Sequence, residues 1–136
     1  MKRLFVSLSI LVAAFVVSGV LSAQGSTNVF KKDQAVIQFT EPVKLLDVFL
    51  KGEYVFVHDD AKMAKGEPCT YVYKSLGGQQ GKLVVSFHCV PIQRAKTDRF
   101  TVLITRTGTA FDVLELKEIQ FAGSAEGHGV PGVAAR

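Results

Sequence analysis

The sequence has no tryptophan and no cluster of basic residues of the kind that marks a nucleic-acid-binding surface. The formal net charge is +4, but lysines and arginines are interspersed with acidic residues along the whole chain. Proteins that bind nucleic acid usually concentrate positive charge in a patch or stripe that contacts phosphates. The sequence therefore gives no support for a nucleic-acid partner.

The signature motifs of several common enzyme classes are also missing. There is no Gly-x-Ser-x-Gly and no His-Glu-x-x-His, and Gly81-Lys82 lacks the other residues of a phosphate-binding loop. A chain of 136 residues has room for one ordinary domain and not for a complete dinucleotide-binding domain beside it. The sequence favours a protein that is not an enzyme, and it leaves open a hydrolase with an unfamiliar site.

The first 23 residues have the organisation of a secretory signal peptide. Lys2 and Arg3 precede an apolar run over residues 4–21, and small residues stand just before Gln24. The run is near the lower limit of what spans a bilayer, so a permanent membrane anchor is the alternative. The small residues favour cleavage after Ala23. We therefore expect an exported protein, periplasmic or extracellular, that contacts the membrane only through this segment before cleavage.

The remaining chain indicates an all-β fold. Residues 24–28 form a polar lead-in, residues 29–121 are rich in the valine, phenylalanine, tyrosine, isoleucine and threonine typical of strands, and residues 122–136 predict a flexible Gly/Ala-rich tail. We expect an antiparallel sandwich or partly open barrel of seven to eight strands. Acid at the start, lysine at the end and a following glycine predict one short helix near 59–66. The candidate strands are 35–39, 43–50, 53–58, 69–74, 82–90, 99–107, 111–114 and 116–121.

The two cysteines predict a disulfide. Exported proteins usually pair their cysteines, and a hairpin of the strands 69–74 and 82–90 would place Cys69 opposite Cys89 on an apolar face. The same register sets Tyr71 opposite Phe87. Closing this loop would stabilise the fold by about 3 kcal/mol. A redox pair or metal thiolates are the alternative, although there is no Cys-x-x-Cys. The aromatic residues expected in the core are Tyr54, Phe56, Tyr71, Tyr73, Phe87 and Phe100.

A polar cluster at His58, Asp59 and Asp60 is the candidate for metal binding. Imidazole and carboxylate are ligands of divalent transition metals, and Met63 nearby could add a soft ligand for copper. The simpler interpretation is that the two carboxylates cap the short helix and that the histidine ends a strand. His88 or His128 would be a further ligand if the fold brings it close, although the alternation favours a surface or inter-strand histidine at position 88.

Two strand patterns carry a resemblance to known proteins. The segments Phe39-x-x-Pro42-Val43 and Leu50-x-Gly52-x-Tyr54-x-Phe56 resemble the opening strands of small, uncharacterised exported bacterial proteins that are regarded as β-sandwich-like. The resemblance implies export and an all-β fold. It implies no activity and assigns no site residue.

The sequence supports two functional hypotheses. The first is a non-enzymatic binding or structural module of the cell envelope, with an envelope protein or a glycan as partner and no cofactor. The second is a small exported protein that binds a divalent transition metal through His58 and neighbouring carboxylates. The second hypothesis requires the candidate ligands to converge in space.

Overall fold

The computed structural model describes residues 29–108 and 112–132, and it confirms the all-β class. The described residues form eight strands and one helix of five residues. The elements are β1 (Lys32–Leu45), β2 (Val48–Asp59), α1 (Asp60–Ala64), β3 (Thr70–Leu76), β4 (Gln79–Phe87), β5 (Val90–Gln93), β6 (Thr101–Thr107), β7 (Val113–Gln120) and β8 (Glu126–Gly129).

The strands form one curled sheet that resembles half of a barrel. The order is β4-β3-β2-β1-β7-β8-β5, and β6 pairs with β7. All pairs are antiparallel except β1 with β7, which meet in parallel at Val43–Leu114 and Lys44–Glu115. The expectation of a purely antiparallel sheet is wrong at this pair. The two strands are distant in sequence, so no hairpin turn fixes their relative direction.

The first hairpin differs from the strand boundaries that the turn residues predict. The predicted strand 43–50 is in fact the end of β1, a turn and the start of β2. Leu46 occupies the turn with φ of 56°, a conformation that the pattern of apolar residues does not reveal. Gly52, expected to end a strand, lies inside β2 with φ of 94° beside a shift of register between Phe39 and Val43. A glycine permits this local bulge at little steric cost.

The core lies where the buried faces of β1, β2, β3 and β7 meet. Three of the six aromatic residues expected there, Tyr54, Phe56 and Phe87, are buried, and Phe100 is partly buried against them. Tyr71 and Tyr73 are not in this core, and Val72 between them is fully buried. The other members of the core cluster are Phe39, Val43, Leu45, Leu50, Leu116, Ile119 and Phe121.

The β3–β4 hairpin forms as predicted, but its register differs by one residue. Thr70 faces Phe87 and Val72 faces Val85, whereas the sequence sets Tyr71 opposite Phe87. Because side chains alternate between faces, a shift of one residue moves Tyr71 to the other face and Val72 into the core. This shift is the physical reason for the wrong assignment of the two tyrosines.

The end of the chain also differs from expectation. The sequence predicts a flexible tail over residues 122–136, yet Glu126–Gly129 form β8, which pairs with both β5 and β7. Residues 127–129 are buried. The short helix predicted near 59–66 is confirmed as α1, with Asp59 as its N-cap.

The predicted signal peptide, the polar lead-in and the start of the predicted strand at 111 lie outside the described residues. Among the residues that are described, no helix has the length and apolar character needed to cross a membrane.

Candidate functional site

Four segments that are far apart in sequence meet at one end of the sheet. His58 lies at the end of β2 and is paired in register with Thr70 at the start of β3. Cys69 directly precedes β3, and Cys89 lies between β4 and β5. β8 brings His128 to the same place through its pairing with β7. The predicted disulfide between Cys69 and Cys89 is present, with Cα atoms 6.2 Å apart.

His58 is almost completely buried and has a defined orientation. Its exposed fraction is 2%, and its Nε2 lies 2.8 Å from Oδ1 of Asp60. A carboxylate accepts hydrogen bonds, so Nε2 donates and the neutral ring keeps its lone pair on Nδ1. That Nδ1 lies 3.9 Å from Sγ of Cys89. The acidic residue at the start of α1 therefore aims the basic nitrogen of His58 at the disulfide.

His128 stacks on His58 in the same buried space. The ring centroids are 4.0 Å apart, and the planes are inclined by 30°. Burial, followed by the nearby charge of His58, lowers the pKa of His128 from 6.5 to about 4, although Asp33 and Asp60 act in the opposite direction. His128 is therefore a neutral imidazole at pH 7.

The buried Nδ1 of His128 has no hydrogen-bond partner in the described part of the chain. Oε1 of Glu126 lies 3.6 Å from this nitrogen, which is beyond normal hydrogen-bond distance. A buried nitrogen without a partner loses the hydrogen bond that it would make in water, and such atoms are uncommon in folded proteins. This nitrogen is the least satisfied polar atom of the site.

Two overlapping sets of candidate metal ligands result, and His58 belongs to both. One consists of His58, Glu126 and His128, and the other consists of His58, Cys69 and Cys89. Within each set, the ligand atoms all lie within 4.8 Å of one another. Glu126 is exposed while both histidines are buried, so the first set opens to solvent on the side of its carboxylate.

The residues named from the sequence have different positions relative to this site. His58 and Asp60 are in direct contact. Oδ1 of Asp59 instead accepts hydrogen bonds from the amides of Ala61 and Lys62, as expected of a helix cap. His88 is exposed and belongs to neither ligand set, and the side chain of Met63 is 45% exposed.

Sequence reasoning did not assign Glu126 and gave His128 only a conditional role. Both lie in Glu126-Gly127-His128-Gly129, where the glycines hide the strand pattern. The alternation of glycine with a larger polar residue is the one signal present. A Cβ at Gly127 would collide with the carboxylate of Glu118, so a larger residue here would have to displace that side chain.

A partly buried ion pair lies next to β8. Glu118 is buried in β7 and forms a two-pronged ion pair with Arg94, with nitrogen–oxygen distances of 2.8 and 2.6 Å. The hydrogen bonds from Arg94 lower the pKa of Glu118, while burial opposes this shift. The pair borders an open cleft of about 280 Å³ that residues of β6 and β7 line. It joins the residue after β5 to β7, and it holds the carboxylate of Glu118 close to Gly127.

Comparison with known proteins gives no relative from which a role could be transferred: no family model, no curated protein and no solved structure matches this chain.

Proposed function

We propose that this protein is exported and binds a divalent transition-metal ion through His58, His128 and Glu126. The observation that carries the proposal is the pair of stacked, buried imidazoles with the unpartnered Nδ1 of His128 facing the carboxylate of Glu126. Metal coordination would give that nitrogen a partner. It would also explain why two histidines are buried at this place, since the hydrophobic core does not require polar side chains there.

The donor set indicates which ions to expect. Two imidazole nitrogens and one carboxylate oxygen suit Zn²⁺, Cu²⁺ or Ni²⁺ better than Ca²⁺ or Mg²⁺, which prefer oxygen ligands. Nitrogen and oxygen ligands lie about 2.0–2.2 Å from zinc. The atoms of this set are within 4.8 Å of one another, so an ion bound to all three would draw them closer together. Three protein ligands leave a fourth position for water.

The surroundings of the set favour binding. Asp60 accepts the Nε2 proton of His58, the arrangement by which a carboxylate fixes the tautomer of a metal-bound histidine. Asp60 is itself held by the amide of Lys31, 3.2 Å from its other oxygen. The exposed side chain of Glu126 gives an ion a route from solvent to the buried nitrogens.

Titration calorimetry of the oxidised protein with Zn²⁺ and Cu²⁺ tests the proposal. We expect one ion per chain, and we expect His128→Gln and Glu126→Gln each to weaken binding by at least about tenfold. Glu126 is exposed, so its variant probes the site without altering the core. His88→Gln is the matched control and should bind as the wild type does. Absence of stoichiometric binding, or equal binding by wild type and His128→Gln, would overturn the proposal.

Export is tested by the intact mass of protein recovered from an exporting bacterial host. A mass equal to that of residues 24–136 less two hydrogens would support cleavage after Ala23 together with the disulfide. A mass that retains residues 1–23 would contradict cleavage. The disulfide itself fits an oxidising compartment, since such bonds are rare in the cytosol.

A second candidate function is a binding or structural module of the envelope. The observation that favours it is β4, which lies at the end of the sheet that the described residues form and in which Leu83 is 45% exposed. Leu76 of the neighbouring β3 is 69% exposed. An open edge can accept a strand from a partner. An envelope protein or glycan that binds the wild type and His58→Gln but not Leu83→Lys would support this function. Binding that depends on His58 and not on Leu83 would contradict it.

A further inference from the structure

The disulfide lies directly against the proposed metal site. Sγ of Cys89 is 3.9 Å from Nδ1 of His58, the ring nitrogen that is not bonded to Asp60. His58 is therefore the one ligand common to the carboxylate set with Glu126 and His128 and to the sulfur set with Cys69 and Cys89. In the oxidised protein, the sulfurs are bonded to each other and are not available as thiolates.

We propose that reduction of the Cys69–Cys89 bond switches this centre from a nitrogen–oxygen site to a thiolate site at His58, Cys69 and Cys89. The thiol redox state then selects which metal ion the protein holds. This inference rests on the proposed function for the ion bound before reduction, but the sulfur set can bind an ion whether or not the first set does.

The reaction requires a dithiol reductant of the thioredoxin class or a small-molecule equivalent. The reductant supplies two electrons and two protons, the sulfur–sulfur bond breaks, two thiols form and the reductant becomes a disulfide. Each cysteine thiol then releases its proton to solvent as its sulfur binds the ion. The products are a metal-bound pair of thiolates, the oxidised reductant and two protons.

The surroundings of Cys69 suit a negatively charged sulfur. The backbone amide of Cys89 donates to Sγ of Cys69 at 2.9 Å, and the hydroxyl of Thr70 lies 3.6 Å from the same sulfur. Hydrogen bonds to sulfur offset part of the cost of placing its charge in a buried position. Cys69 itself is 1% exposed, so this compensation matters.

The position of Cys89 permits the necessary movement. Thiolates bound to zinc lie about 2.3 Å from the ion, so the two sulfurs must separate once their bond is broken. Cys89 lies between β4 and β5 and takes part in no strand pairing of the described residues, whereas Cys69 directly precedes β3 and its carbonyl accepts a hydrogen bond from the amide of Asp59. The sulfur of Cys89 can therefore move while the sheet stays in place.

The change of ligands changes the preferred ions. Thiolates are soft ligands that favour Zn²⁺ and Cu⁺, whereas imidazole with carboxylate gives a harder set. We expect reduction to raise the affinity for Zn²⁺ by at least about tenfold. The ligand of the reduced centre is a soft or borderline metal ion, and the reductant that triggers the change is a dithiol.

Cobalt is the direct probe of this switch, because Co²⁺ bound to thiolate has a strong sulfur-to-metal absorption in the near ultraviolet. Co²⁺ is added to the wild-type protein before and after reduction by a phosphine, which does not itself offer thiol ligands. We expect the band only after reduction, and we expect none in Cys69→Ser/Cys89→Ser. His88→Gln is the control and should behave as the wild type does. Circular dichroism of the same samples follows the strand content.

The outcomes separate this inference from the proposed function. Binding by the oxidised protein with no thiolate band after reduction would overturn the switch and leave the first site standing. A thiolate band after reduction without any binding by the oxidised protein would overturn the first site and support the sulfur set. Loss of the strand signal on reduction that metal does not restore would overturn the switch, because the switch requires a folded, reduced chain.

Discussion

The two ring nitrogens of His58 have separate roles, and this separation organises the site. Nε2 bonds to Asp60, and Nδ1 faces the sulfur of Cys89. A histidine at a strand end is common, and nothing in its sequence position reveals these contacts. The position of Asp60, one residue after the end of β2, allows its side chain to turn back to the ring.

Replacing Asp60 with asparagine tests this orientation. The amide keeps the size of the carboxylate but loses its charge and can present a donor to Nε2, which would favour the other tautomer. We expect Asp60→Asn to weaken Zn²⁺ binding by the oxidised protein by about 10- to 100-fold, as is typical for partners of metal-bound histidines. Calorimetry measures the effect. Asp98→Asn, at an exposed carboxylate, is the control, and equal losses in the two variants would contradict the assignment.

The position of Gly127 is equally specific at the residue scale. An added Cβ would strike Glu118, whose carboxylate Arg94 holds in place. We expect Gly127→Ala to lower the free energy of unfolding by about 1–3 kcal/mol, the usual cost of overpacking. Denaturant unfolding measures it. Gly132→Ala is the matched control, because no atom of the described residues lies within 4 Å of a Cβ there. A stability equal to that of the wild type would show that β8 does not pack closely against Glu118 of β7.

At the element scale, the β3–β4 hairpin shows what the alternation of apolar residues predicts correctly and what it does not. The sequence correctly pairs the two strands and the two cysteines, because the glycine-rich loop indicates the hairpin and the predicted signal peptide indicates a disulfide. It misplaces the faces because the aromatics at Tyr71 and Tyr73 outweigh the smaller Val72 in any count of apolar residues. Cys89 reaches Cys69 despite the shifted register because it lies beyond the last paired residue of β4.

The observed register predicts which substitutions in β3 affect stability. Val72 is fully buried, so Val72→Ala removes two methyl groups from the core, and we expect a loss of about 2 kcal/mol. Val90, which is 52% exposed, should tolerate the same change within about 0.5 kcal/mol. Chemical denaturation of both variants measures the difference. Similar losses at the two positions would argue against the pairing of Val72 with Val85.

The ion pair of Arg94, which follows β5, with Glu118 of β7 makes the stability of the fold depend on pH. The pKa of Glu118 is lowered in the folded state, so its contribution to stability is present above the ordinary value of 4.5 and is lost as pH falls through the lowered pKa. We expect Glu118→Gln to be less stable than the wild type at pH 7 and to approach it at pH 3. Unfolding curves at the two values measure the gap. A gap that is constant with pH would show that the charge of Glu118 does not contribute.

At the scale of the whole molecule, the sequence predicts the features that depend on neighbouring residues. It does not predict the features that depend on pairing between strands distant in sequence. The strand-rich composition predicts the all-β class, and the acid-to-lysine order of 59–66 predicts α1. The parallel contact of β1 with β7 and the return of β8 to the site depend on long-range pairing, which leaves little trace in nearby residues. His58 could therefore be named from the sequence, but its contact with His128 could not.

The disulfide and the metal site together predict how the stability of the whole protein responds to reduction. Opening the bond, which joins residues 20 apart, frees a loop in the unfolded chain and should lower the free energy of unfolding by about 3 kcal/mol. A domain of typical stability survives that loss. If the reduced cysteines bind Zn²⁺ with His58, the ion stabilises the folded chain by mass action. The difference in the free energy of unfolding between the oxidised and the reduced protein then becomes smaller.

Denaturant unfolding of oxidised and phosphine-reduced protein, each with and without Zn²⁺, measures this response. We expect zinc to restore a larger share of stability in the reduced wild type than in Cys69→Ser/Cys89→Ser, which also lacks the crosslink but offers no thiolate. Equal recovery in the two would show that zinc acts only through the set of His58, His128 and Glu126. The comparison therefore distinguishes a crosslink that only stiffens the sheet from one that also controls a metal centre.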